Sequence, residues 1–369
     1  IRFSSISDII RKKSHRWKIK DGHYHRNWVR ARKRCARAIT PPIIYPHFLY
    51  SESTILDAHY SKLEQDGILL IQGSDSLKFL QGQTTCDTNR VDHEHAVLGA
   101  YCNPQGRMCC DFLLAEIGQD LFALRMRKDI ITRSAEVFGK YIIFSKATLS
   151  SDDSDWSVLA FWGADARESL LAIVPAVPDA KLGTVTADNY TLVQIDESGT
   201  RFECYLKASA PTELVEKFKN AAPSATEEHW HALQINAGIG RIERNTSETF
   251  IPQMLNYDIT GHVNFTKGCY TGQEVVARLH YRGKTKRRAY VASLPSGELA
   301  EAGAALFSGE STKSVGNIVN TALDSHGKQM ALIVATAPGI EHGLHLGAPD
   351  GQQLDISQLP YSIEKDSTD

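Results

Sequence analysis

The sequence lacks most of the patterns that announce a common chemistry. No Cys-x-x-Cys pair occurs among its seven cysteines, at 35, 86, 102, 109, 110, 204 and 269. Their odd number and scattered spacing exclude a disulfide framework or a zinc ribbon and point to a reducing, cytoplasmic compartment. No apolar run approaches the roughly 18 residues that cross a bilayer, so no membrane partner is expected. HExxH, GxSxG and a GxGxxG following a strand are all missing, which removes the zinc-peptidase, α/β-hydrolase and dinucleotide-fold readings. The nearest approach to a phosphate loop, Arg282-Gly283-Lys284-Thr285, has Arg278 where the loop needs glycine, and it is rejected.

Acidic residues are scarce in one place only. Residues 1–48 hold 13 Lys/Arg and two Asp/Glu, which leaves 28 Lys/Arg and 41 Asp/Glu for the other 321 residues. This is a basic arm on an acidic body. Three readings fit the arm: a nucleic-acid-binding tail with interleaved Trp17, Tyr24 and Trp28, an Arg-rich targeting presequence, or translated sequence upstream of the natural start. The last is favoured, and a disordered segment is expected on any of them. The acidic body argues against direct nucleic-acid binding.

The body, from about residue 49, alternates strand and helix patterns. Residues 67–73 read as a buried strand followed by a helix from Ser74, capped by Ser74 or Asp75. The same order returns about 90 residues later, with strand 156–163 and helix 164–170. It suggests a duplicated strand–helix unit. Between the copies lie a strand 98–102, a turn at 103–106, a long strand 107–117, a returning strand 121–126, a helix 128–141 and a strand 142–149. Strands across 182–207 and helices at 212–221 and 227–238 follow. After Arg288 only short strands punctuated by Gly and Pro remain, as in a small β-barrel.

The stretch from Asn264 to Arg288 concentrates the chemistry. Cys269 sits beside Lys267 and just before a helix. Thr271 and Glu274 have capping-box spacing ahead of Val275, Val276 and Ala277. Helix-end amides and a lysine both favour a thiolate, so Cys269 is the candidate functional thiol, against a reading as a small buried apolar residue. The loop 238–265 is long and polar, and such loops often carry function. Its Gln253 and Asn256 offer amides to a heterocyclic ligand, or else satisfy loop backbone. Six cations between Arg278 and Arg288 favour an anion over a merely solvated edge.

Phe265, Lys267-Gly-Cys-Tyr-Thr-Gly-Gln-Glu274 and Arg278, then Tyr281-Arg-Gly283 and Lys286-Arg287, resemble the signature of the YgfZ family, folate-binding relatives of the glycine cleavage aminomethyltransferase (T-protein). Phe79-Leu-Gln-Gly-Gln83, Tyr101-Cys-Asn-Pro-Gln-Gly-Arg107 and Phe250-Ile-Pro-Gln253 with Asn256 support it, over about residues 55–365. The resemblance implies an α+β cloverleaf of two related lobes plus a C-terminal β-barrel around a central tetrahydrofolate site. It implies a folate domain from 49–96 and 188–288, a second lobe at 97–187 and the barrel at 289–369. It also implies a role in assembly or repair of iron–sulfur proteins, with iron–sulfur enzymes or assembly proteins as partners and an indirect link to tRNA modification. Cys269 with Lys267 would be the functional pair. Trp230 would stack on the pterin, and Gln253, Asn256, Gln273, Glu274 and Arg278 would line the folate site. Two places depart from the family: Asp66-Gly67 replaces a tryptophan, and Gly261-His262 replaces a glycine pair. Where T-proteins carry two aspartates this chain has Cys110-Asp111, so Asp111 alone stands for the acid/base group of a one-carbon transferase, the alternative function. Direct tRNA binding is the second alternative.

Overall fold

The computed structural model describes residues 57–151, 155–295, 300–309 and 312–363. The basic arm lies outside them, with every expectation attached to it. Strand β1 (His59–Lys62) is followed by β2 (Asp66–Gln72), helix α1 (Ser76–Gln83), and the antiparallel meander β3 (Val97–Cys102), β4 (Met108–Gly118) and β5 (Leu121–Arg127). Helix α2 (Ile131–Ile142) and strand β6 (Thr148–Ser150) complete the first unit. The order then repeats as β7 (Trp156–Trp162), α3 (Ala166–Leu171), β8 (Thr184–Thr186), β9 (Tyr190–Gln194), β10 (Arg201–Lys207) and α4 (Thr212–Lys219).

Two five-stranded sheets result, β3-β4-β5-β2-β6 and β8-β9-β10-β7-β1. They match strand for strand, except that the edge strand of the second comes from the beginning of the body. The expected boundary at residue 97 therefore cuts through a sheet. β2 pairs along its length with β5, so the first lobe runs from 66 to 150 and the second takes 59–62 with 156–219. The expected domain from 49–96 and 188–288 keeps β1 with β9 and β10, as the sheet does, but parts β2 from β3, β4 and β5.

The duplication holds at atomic detail. Gly73 and Gly163 have φ of +132° and +124°, and a Cβ on either would stand 2.2 Å from the Lys146 carbonyl oxygen or 2.1 Å from that of Asp57. Only glycine fits. Two residues on, Asp75 accepts the Lys146 N–H at 2.9 Å and Asp165 accepts the Asp57 N–H at 2.8 Å. Each aspartate is the N-cap residue of its helix, as expected for Asp75, but neither side chain bonds the helix backbone. Each instead pins the chain leading into the neighbouring edge strand, β6 or β1. That strand is shorter than expected in the first lobe, since α2 continues to Ile142.

Helix α5 (Glu227–Asn236), the long loop and helix α6 (Gln273–Arg282) lead to strands β11 (Arg287–Ser293), β12 (Ala305–Phe307), β13 (Gly316–Leu323) and β14 (Gln329–Thr336), the short helix α7 (Ala337–Glu341), and strands β15 (His345–Leu346) and β16 (Asp355–Ser357). These strands form one sheet, β15-β12-β13-β14-β11-β16, curled into a half-barrel. α5 packs on β13 and β14. One core joins the first lobe, the long loop and this sheet, and another joins the two lobes around Trp162, Tyr205 and Trp230. Among the described residues no helix is long and apolar enough to cross a membrane.

Candidate functional site

Charged residues interrupt apolar strands at three places, and the fold brings them together. β5 reads Leu-Phe-Ala-Leu-Arg-Met-Arg, with Arg125 and Arg127 on one face by strand alternation. β10 carries Glu203 between Phe202 and Cys204, and β4 carries Asp111. All four side chains are buried. Across the lobes, Arg125 donates from Nε to Glu203 Oε2 at 2.8 Å and from Nη2 to Oε1 at 2.6 Å, and Tyr205 adds its hydroxyl to Oε2 at 3.1 Å. A two-pronged pair of this kind is what can hold ions out of water. Asp111 accepts Arg241 Nε at 2.6 Å and the Ile242 N–H at 2.5 Å, which ties the long loop to the first lobe.

Burial raises the Asp111 carboxyl to about 7, against the Ile242 amide, Arg125 and Arg127, which pull it down. Burial also pushes Glu203 up against Arg125. Asp66 moves the other way. Burial opposes its charge, but Arg127 and the His231 hydrogen bond hold it below the usual carboxylate range.

This charged floor closes one end of a cavity of about 450 Å³. Asp111, Arg125, Gln234 and Arg241 form the polar end, and Leu98, Leu113, Leu182, Ile195, Ile239 and Ile259 the apolar walls. His262, Lys181, Arg201 and Tyr361 also line it, as do the acidic Asp196 and Glu197. Both lobes, α5, the long loop and the segment after β16 thus contribute. Burial lowers the His262 imidazole to about 3, so the ring is neutral at physiological pH. It stacks on Tyr257 with centroids 3.8 Å apart. Arg125 Nη1 and Arg241 Nη2 are buried with no hydrogen-bond partner among the described residues. Buried donors are seldom left so. The Asp66 carboxylate oxygens are likewise buried without a hydrogen-bond partner, with Oδ1 3.9 Å from Arg241 Nη1.

Of the residues expected at the site, only Asp111 lines this cavity. Trp230 has no exposed surface and packs on Trp162 at 5.8 Å. The face implied for stacking on a pterin is covered by protein, and neither Trp230 nor Cys269 lines this cavity. Gln253 donates to the Val276 carbonyl at 2.7 Å, and Asn256 to the Ala289 carbonyl at 3.0 Å and the Tyr361 hydroxyl at 3.2 Å. The backbone-satisfying reading describes both. Gln273, Glu274 and Arg278 lie on α6, the last two exposed.

Cys269 instead lies on a separate surface, the one exposed cysteine among the described residues. Four of the resembling stretches converge there. Lys267 Nζ donates to the carbonyls of Gln81 and Thr84 at 2.7 and 2.6 Å, at the C-terminal end of α1, where a cation is favoured. Burial lowers Lys267 to about 8. Gly272 lies against the 103–106 turn, where a Cβ would sit 2.5 Å from the Asn103 carbonyl oxygen. Gln253 braces α6 from below. The expected capping box does not form. Gly272, at φ +83°, is the N-cap and has no side chain to offer, so α6 starts at Gln273. Thr271 bonds Gln83 instead, at 3.3 Å.

Sequence reasoning missed Arg125, Arg241, Gln234, His262, Lys181 and Tyr361. The available signal was a lone charge inside an apolar strand, which requires a buried partner.

A family model described as the GCVT N-terminal domain matches residues 61–202. A protein named tRNA-modifying protein YgfZ, from Escherichia coli O6:H1, is 30% identical over 305 residues, covering 82% of this chain and 93% of its own length. Its namesake from Klebsiella pneumoniae is 30% identical over 329 residues, covering 89% and 99%. Among solved structures, the glycine cleavage system aminomethyltransferase T from Bartonella henselae matches with a TM-score of 0.66 at 14% identity, over 83% of this chain and 87% of that one. This last likeness is one of fold alone.

Proposed function

The chain belongs to the YgfZ family, and on that premise we propose that it is a tetrahydrofolate-binding accessory protein for assembly or repair of iron–sulfur proteins, which supports tRNA modification indirectly. The observation that supports the folate part is the 450 Å³ cavity whose polar end is lined by Asp111, Arg125, Gln234 and Arg241 and whose walls are apolar. That volume is within the range of small-molecule sites. A pterin presents a ring carbonyl and ring nitrogens as acceptors, and its N–H edge matches the free lone pairs of Asp111. The benzoyl group fits the apolar walls, and the glutamate faces the more exposed Lys181. The residues therefore fit a reduced folate, whose chemistry when bound would be one-carbon carriage at its N5 and N10 atoms.

Titration calorimetry with 5-formyltetrahydrofolate tests this reading. Wild type is expected to bind, and Arg241→Ala to weaken binding by about tenfold or more. No binding by wild type would sink it. Cys269 and the surface around it supply the part directed at iron–sulfur enzymes or their assembly proteins. A strain lacking the gene should regain [4Fe-4S] enzyme activity with wild type but not with Cys269→Ala, and rescue by the variant would remove the thiol from the account. The Asp111 carboxyl at about 7 favours one further reading, a folate-dependent one-carbon transferase using it as acid and base. Exchange of methylene-folate with formaldehyde, absent in Asp111→Asn, is its test.

A further inference from the structure

A second cleft, of about 290 Å³, opens beside the folate cavity and shares Leu98, Lys181 and Leu182 with it. The rest of its lining is Arg90, His95, Ala96, Val97 and Gly261, so it has three basic groups and no acidic one. That bias is notable in a body with 41 Asp/Glu against 28 Lys/Arg. Arg90 ends a single 3-10 turn, Thr88–Arg90, whose start is fixed by Asp87 accepting the Asn89 N–H at 3.3 Å. Its side chain makes no ion pair among the described residues. The Lys181 pair with Glu197 spans 3.4 Å at the surface, with side chains 35% and 82% exposed, and such a pair exchanges readily for another carboxylate. The His95 Nδ1 is engaged by Asp92 Oδ1 at 3.0 Å, which orients the ring. Gly261 has open space where a Cβ would point, so the cleft floor is unobstructed. The Ala96 N–H bonds the Leu182 carbonyl at 2.7 Å, so the cleft sits on the seam between the lobes.

The polar end of the folate cavity, with Asp111, Arg125 and Arg241, suits the pterin, and the apolar walls suit the benzoyl group. The glutamate is then directed to Lys181, the charged residue among the three common to both spaces. Each further γ-linked glutamate adds one carboxylate to the chain beyond that point. We propose that the ligand is a polyglutamylated tetrahydrofolate, with Arg90, His95 and Lys181 binding the carboxylates of its γ-glutamyl tail. The inference rests on the folate reading of the cavity.

Calorimetry with 5-formyltetrahydrofolate as monoglutamate and as pentaglutamate tests it, on wild type and on Arg90→Gln/His95→Gln. Wild type should bind the pentaglutamate tighter by on the order of tenfold, with the gain shrinking as salt is raised. The double variant should bind the monoglutamate as wild type does, which also shows that it folds, and should lose the gain. Equal affinity of wild type for the two ligands overturns the tail cleft and leaves the folate reading standing. A gain that survives in the double variant overturns the assignment to Arg90 and His95. Absence of binding by either ligand overturns the folate reading and this inference together.

Discussion

The cavity and the Cys269 surface are built in opposite ways. The cavity draws Asp111 and Arg125 from the first lobe, Ile195 and Arg201 from the second, Gln234 from a helix, Arg241 and His262 from a loop and Tyr361 from the segment after the last strand. Its charged members act through partners far away in sequence, as Arg125 does through Glu203 and Asp111 through Arg241. The Cys269 surface is made from short contiguous stretches whose backbones pack on one another. There Gly272 meets the 103–106 turn, Lys267 reaches the end of α1, and Gln253 holds the Val276 carbonyl. The first arrangement needs only a charge of the right sign at an apolar strand position. The second needs particular residues in a row, because the constraint is on backbone approach. A motif therefore marks the cysteine and none marks the cavity.

The contrast is broken most severely at the bridge between the lobes. Arg125→Leu strands Glu203, which is fully buried, and should cost about 3–5 kcal/mol in urea unfolding. Arg125→Met combined with Glu203→Leu should recover much of that loss. A cost below about 1 kcal/mol for the single change would show that the charged floor does not fasten the lobes.

Gly272→Ala tests the other region. Its φ of +83° and the 2.5 Å approach to Asn103 should cost about 2–3 kcal/mol. The damage should stay local, with faster modification of the Cys269 thiol and folate affinity unchanged within about twofold. If folate affinity falls with it, the two regions are not separable.

The pH dependence sharpens the cavity side. Between the ordinary carboxylate range and about 7 the folded chain keeps the Asp111 proton that the unfolded chain has released. Its contribution is therefore full at low pH and is lost as pH rises through that window. Stability of wild type should fall between about pH 5 and pH 8 more steeply than that of Asp111→Asn, by on the order of 1–2 kcal/mol. Parallel curves would mean that Asp111 does not titrate there. The smallest effect is expected for Cys269→Ala. An exposed thiol in a braced loop should change stability by less than about 0.5 kcal/mol and leave folate affinity unaltered. A larger shift in melting temperature would give the sulfur a structural role.

Much of the fold was legible. The repeat appeared as strand, glycine, aspartate and helix at a spacing of about 90 residues, because a backbone at φ near +130° beside a carbonyl admits only glycine. The terminal strands were legible as short runs punctuated by Gly and Pro. The division between lobes was not, since β2 pairs with β5 across the whole meander and no local pattern says which sheet a strand joins. At the site, the thiol was found from its motif. Trp230 was assigned to the ligand by resemblance, yet an indole at the start of α5 reads the same in sequence whether it faces a cavity or the core.

The sequence by itself determined the family, the order of the elements, the glycine positions and the candidate cysteine. All of these depend on neighbours along the chain or on a run of residues. Tertiary structure alone decided which charges meet. Arg125 with Glu203, and Asp111 with Arg241, lie 78 and 130 positions apart. No local pattern encodes such pairs. Each is fixed only when burial makes an unpaired ion too costly to keep.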